Sequence, residues 1–140
     1  MDKKEQKFVE WFLRIALSSG MLSAVADRFG LWPQEISAWG NWESFIAYTH
    51  KLNPWIPASL IHYVGGIATF LEAFFAIGLL VHYRTSLMAK GTGVLLLVFG
   101  LAMAIFLHIK TALDYSVFIG SAGAFSLSFL TKKDCRPGRK

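Results

Sequence analysis

Four stretches of the chain are apolar over lengths that only a helix can use. The first runs from Phe8 to Ala26, is interrupted by Arg14 and is softened by Ser18, Ser19, Gly20 and Ser23. The second, Ala58 to Val81, follows Pro54 and Pro57, which fit the start of a helix and not its interior. The third, Leu87 to Leu107, holds the unbroken stretch Val94-Leu95-Leu96-Leu97-Val98-Phe99; the fourth, about Tyr115 to Leu130, is the shortest. No stretch alternates apolar and polar residues as a barrel strand does. About 20 apolar residues cross a bilayer as a helix. The pattern therefore predicts an all-α fold, a four-transmembrane-helix bundle occupying residues 1–130 as one domain. A polar, basic C-terminal tail, expected to be mobile, follows over 131–140.

The segment between the first two runs has a pattern of its own. It carries Trp32, Trp39, Trp42 and Trp55, four of the five tryptophans. Asn41 is placed to cap a short helix whose Trp42, Phe45, Ile46 and Thr49 share a face and which ends before Asn53-Pro54. A short outer interfacial helix between helices 1 and 2 is expected, its tryptophans at headgroup level or closing a cavity among the spans.

Composition reinforces this picture. Of the 140 residues 54% are hydrophobic and 16% charged, against about 25% charged in an ordinary soluble domain. One small core could not bury so much apolar surface, so the bilayer takes up the excess. The formal net charge is +5, and the cations stand at the ends of the apolar runs. Lys3, Lys4, Lys7, Arg84, Lys90, Lys132, Lys133, Arg136, Arg139 and Lys140 fall on one side, and only Arg28, Lys51 and Lys110 on the other. The positive-inside rule then puts both termini in the cytoplasm. A basic N-terminus and Ala24-Val25-Ala26 resemble a signal peptide, but Arg14 splits the apolar stretch and favours an uncleaved helix. No basic stripe with interleaved aromatics lies outside the spans, so nucleic acid is not an expected partner. The single cysteine, Cys135, can form neither an internal disulfide nor a cysteine zinc site.

The candidate chemistry is intramembrane. An ionisable group at the centre of a spanning helix costs about 2.5–3.5 kcal/mol on insertion scales. At 1.5 Å per residue, Arg14 stands roughly 9 Å and Glu72 about 13 Å above the inner ends of their helices. That similarity of depth allows an Arg14–Glu72 salt bridge. Arg14 could equally bridge to Glu10 one turn earlier, or extend to the inner surface. His62, Gly65, Thr69, Glu72 and Ala76 recur at three- and four-residue spacing on the second helix, opposite a lipid-facing surface of Phe70, Leu71, Phe74, Phe75 and Ile77. Gly93, Gly100, Ala104 and His108 similarly share a face on the third, and Gly120 and Ala124 on the fourth. Arg14, Glu72, Thr69, His62 and His108 are thus the candidates for a buried polar or ligand-binding site. No metal centre is assigned: His62 and His108 barely meet the equal depth that a haem between two helices needs, and their position near the surface argues against one. Phosphate-loop, calcium-loop and Ser-His-Asp patterns are missing, which argues against a self-sufficient soluble enzyme.

The runs Leu13-Arg14-Ile15-Ala16-Leu17 and Leu22 to Trp32, then Phe45-Ile46-Ala47-Tyr48-Thr49 with Leu52-Asn53-Pro54, and Glu72 before Gly78-Leu79-Leu80, together resemble the bacterial DoxX-type membrane proteins. The resemblance covers roughly residues 8–130. Where many of that family have a lysine closing the first helix, this chain has Asp27-Arg28. The resemblance implies a small four-helix protein of the bacterial inner membrane, tied to quinone-linked redox complexes. It would act as a subunit or anchor that binds a lipophilic ligand such as quinone within the bundle. A noncatalytic assembly, scaffold or transport role is the alternative. Membrane lipids, a soluble or membrane redox partner and a second copy of the chain are the partners implied.

Overall fold

The computed structural model describes residues 1–132; Cys135 and the rest of the expected mobile tail lie outside the described residues. Those residues fold into six helices, α1 (Lys3–Arg28), α2 (Trp42–Leu52), α3 (Ala58–Leu80), α4 (Thr85–Phe106), α5 (Ile109–Asp114) and α6 (Val117–Lys132), with no strand among them. Three, α1, α3 and α4, are long and apolar enough to cross a membrane; α6 is apolar but has 16 residues.

Local chemistry sets the helix ends. α1 starts earlier than its apolar run because Asp2 and Glu5 form a reciprocal capping box. It stops in a Schellman turn: Leu31 N–H donates to Ala26 O, Gly30 N–H donates to Asp27 O, and Gly30 sits at φ +70°. Asn41 caps α2 as its position suggested, its side chain accepting from Ser44 N–H at 2.8 Å. The residues between the third and fourth apolar runs, for which no element was expected, form α5 and a turn at Tyr115-Ser116, with Ser116 at φ +54°. Thr131 and Lys132, assigned to the tail by the sequence, belong to α6, and Thr131 is buried.

Packing is antiparallel throughout the bundle. Ser18 Oγ on α1 donates to Ala76 O on α3 at 2.9 Å, and Ser121 Oγ on α6 donates to Gly93 O on α4 at 2.7 Å. Gln6 Nε2 near the start of α1 reaches Leu130 O near the end of α6, while Ser86 at the start of α4 meets Ser128. The first turns of α1, the α3–α4 hairpin and the end of α6 therefore share one end of the molecule. Phenylalanine rings fill the slots left by glycines on α4: Phe75 at Gly91, Phe125 at Gly93 and Phe118 at Gly100. The core joins Met21, Ala76, Leu79, Met88, Ala89 and Leu127. A second cluster, Phe45, Ile46 and Ile61, lies where α2 packs on α3. Ile67, Phe70, Phe74 and Ile77 on α3, and Val94, Val98, Leu101 and Ile105 on α4, are exposed. An apolar surface of that extent is unfavourable in water and suits lipid.

Candidate functional site

The charged partner of Glu72 is Arg28, not Arg14. Arg28 Nη1 forms an ion pair with Glu72 Oε2 and donates to Thr69 Oγ1 at 2.8 Å; Thr69 in turn donates to Gly65 O. Both ends of the pair are buried, each 3% exposed. Helix geometry explains the pairing. The α1–α3 register matches Ser18 with Ala76, so residue 22 would stand level with Glu72 and Arg28 roughly 9 Å further along α1. Helical side chains lean towards their own N-terminus. On antiparallel helices, Arg28 leans into the bundle and Glu72 leans out to meet it.

Arg14 has a different task at the C-terminal end of α3. Its Nε donates to Leu79 O at 2.7 Å and its Nη2 to Leu80 O at 3.3 Å, while Nη1 contacts His82 Nδ1 and lies 3.5 Å from Glu10 Oε1. The last turn of a helix leaves carbonyls without intrahelical donors, and Arg14 supplies donors to two of them. The chain then reverses through His82 in the left-handed region, φ +59°, with Tyr83 N–H donating to Gly78 O. Arg14 is fully buried, so it does not extend to the surface; the bridge to Glu10, weighed beside Glu72 in the sequence, is present as a secondary contact.

Over the Arg28–Glu72 pair lies an aromatic cover. The Arg28 guanidinium carbon is 4.0 Å from the Phe45 ring centroid and 5.4 Å from that of Trp39. Trp39 packs edge-on to Phe45, and Trp42 lies against Phe45 as well. Two features hold this cover. Asp27 accepts three backbone N–H groups, Ala38 at 2.9 Å and Trp39 at 3.0 Å on Oδ2 and Gly40 at 3.3 Å on Oδ1. Gly65 lets α2 approach α3, since a Cβ there would stand 2.5 Å from Ile46 Cδ1 and 3.2 Å from Phe45 Cε1. Adjacent residues at the end of α1 thus split the work: Asp27 anchors the covering loop and Arg28 faces inward.

Of the residues singled out by sequence, Thr69 and Glu72 come together in the middle of α3 and Arg14 lies at its C-terminal end. His62 and His108 are exposed and belong to neither cluster, His108 preceding α5 instead of closing the α4 face. Among the described residues no group of three or more His, Cys, Asp or Glu is gathered to hold a metal. Sequence reasoning missed Asp27 and Arg28 by counting them as flank. The available signal was two charges ending an apolar run ahead of a tryptophan-rich loop. Chemically, the site pairs a cation and an anion out of water with one donor, Arg28 Nε, to spare. Apart from the ionic contact, Glu72 Oε2 and Arg28 Nε have no hydrogen-bond partner. No protein-family model matches the chain, and neither a curated protein nor a solved structure matches it.

Proposed function

We propose that this chain is a DoxX-like protein of the bacterial inner membrane, with α1, α3, α4 and α6 as four spans and both termini cytoplasmic. In this reading α2 is an interfacial helix on the outer side, and the Arg28–Glu72–Thr69 site receives the polar head of a lipophilic ligand, a quinone by preference. The protein then serves as a subunit or anchor of a membrane redox complex. The observation that carries the reading is the buried ion pair with Arg28 Nε left as a donor. A buried unsatisfied donor costs about 1–3 kcal/mol, and a ligand carbonyl would remove that penalty. The orientation gains support because Arg28 turns into the bundle, leaving Lys51 and Lys110 as the outer basic residues against ten on the inner side. At roughly 24 Å, α6 falls short of an average hydrocarbon core of about 30 Å, a mismatch that local thinning can absorb.

The test is Glu72→Gln, which keeps the shape of the side chain and removes its charge. Titration with a short-chain water-soluble quinone, read by tryptophan quenching, should show binding to the parent protein and about tenfold weaker binding to the variant, at equal expression and dispersity. Equal binding by both proteins would refute the reading.

A second reading draws on the cover itself. Phe45 stacks directly on the Arg28 guanidinium, worth up to about 2 kcal/mol in a desolvated setting. That contact favours a helix latch in a noncatalytic assembly, scaffold or transport protein. A latch can be exchanged for an apolar pair without loss, whereas a ligand site cannot.

A further inference from the structure

The shared end of α1, the α3–α4 hairpin and α6 carries a second polar feature, unrelated to the Arg28–Glu72 pair. A cleft of about 770 Å³ opens there, lined by Lys7, Trp11, Arg84, Lys90 and Thr85 among others. Glu10 also lines it, but lies 3.5 Å from the buried Arg14. Lys7, Arg84 and Lys90 are exposed and none has a carboxylate within salt-bridge distance among the described residues. The cleft also contains the N-terminus of the 22-residue α4. Its N-cap, Arg84, supplies no side-chain cap, and Leu87 and Met88 are the first of its N–H groups to find an acceptor, Arg84 O. Thr85 and Ser86 N–H therefore stand at the positive end of the helix dipole. A further observation points to a missing partner: Thr85 is 6% exposed and its Oγ1 has no hydrogen-bond partner. Thr85 itself lines the cleft, so a ligand there is the partner within its reach.

A helix N-terminus with basic side chains around it is a phosphate site. What carries the phosphate follows from the surroundings. Phe8, Phe12 and Leu87 near the cleft are largely exposed, and the cleft sits where α1, α3 and α4 end. This is headgroup level for any helix that spans, whichever side of the membrane it faces. We propose that the cleft binds the phosphate group of an anionic phospholipid, with Lys7, Arg84 and Lys90 neutralising it, the first α4 N–H groups donating to it and the acyl chains lying along Phe8, Phe12 and Leu87. Trp11 forms the wall between this site and Arg14, whose guanidinium carbon is 4.1 Å from its ring centroid. Occupancy would therefore brace the α3 terminus that Arg14 caps.

The experiment is thermal unfolding of delipidated full-length protein in dodecylmaltoside, with dioctanoyl phosphatidylglycerol, dioctanoyl phosphatidylcholine or inorganic phosphate added. Phosphatidylglycerol should raise the midpoint and phosphatidylcholine should not. In K7Q/R84Q/K90Q the apparent affinity should fall about a hundredfold, each basic residue near a membrane surface contributing about fivefold. If the triple variant unfolds, K90Q alone should show the fivefold loss. Glu72→Gln should keep the full response, which separates this site from the quinone reading. Inorganic phosphate acting as well as phosphatidylglycerol would replace the lipid with a free anion as the source. Equal shifts from both lipids, or an undiminished response in the basic-residue variants, would overturn the site.

Discussion

Asp27 and Arg28 set the character of the site although each reads, in sequence, as an ordinary charged residue closing a helix. Arg28 is buried with a single anion opposite it, so removing that anion leaves a charge without compensation. Glu72→Ala, which also removes the acceptor oxygen and the volume that Glu72→Gln keeps, should lower unfolding stability by about 3–5 kcal/mol. The double substitution R28M/E72M should recover most of it, giving a coupling energy of about 1–3 kcal/mol in a thermal or denaturant double-mutant cycle. If the site binds quinone, that restored protein should still bind none. Asp27→Asn should cost about 2 kcal/mol, since an amide cannot accept from all three N–H groups that the carboxylate holds. Hydrogen exchange should quicken at residues 38–40 and stay slow in the middle of α3. At this scale Glu72 was legible as a charge inside an apolar run, and so was the Asn41 cap. The Arg28–Glu72 pair was not: it depends on the lean of two side chains on antiparallel helices, which depth along one helix does not contain.

Among the elements, the long apolar runs specified α1, α3 and α4 because a span leaves little room for alternatives, and the small-residue face of α3 packed inward from Gly65 to Ala76 as its spacing indicated. His62 fell outside that face because its neighbour Ile61 is the residue that packs against α2, which leaves His62 exposed. α5 escaped notice since its six residues carry no cap or period that separates them from the following run. The α3–α4 hairpin supplies a direct test of element-level cooperation. Arg14→Met should fray the last turn of α3, and His82→Gly, relieving a left-handed residue worth about 1–2 kcal/mol, should stabilise the Arg14→Met protein more than the parent. In the parent, that relief is offset by loss of the Arg14–His82 contact. Likewise, Gly65→Ala can be met by a small turn of the Ile46 terminal methyl, but Gly65→Leu cannot. The larger residue should lift α2 from α3 and shift tryptophan emission to longer wavelength.

For the molecule as a whole, the apolar surface and the paired antiparallel helices put the first turn of α1 and the last of α6 at one end, with the covering loop and α2 towards the other. The lone Cys135 makes the proposed orientation measurable without adding a label site: a membrane-impermeant maleimide should modify it in inside-out vesicles and not in intact spheroplasts. Reaction in intact spheroplasts would reverse the topology. Two polar centres occupy different places in the fold, an ion pair under an aromatic cover and a basic cleft beside the α3–α4 hairpin, and only the first bears on the redox reading. The decisive measurement is a visible spectrum of the detergent-purified protein with mass spectrometry of its organic extract, taken beside Glu72→Gln. Quinone should accompany the parent protein in near-stoichiometric amount and be lost from an equally well folded variant. An extract holding only bulk phospholipid from both would contradict the redox reading and leave the Arg28–Glu72 pair as a structural latch.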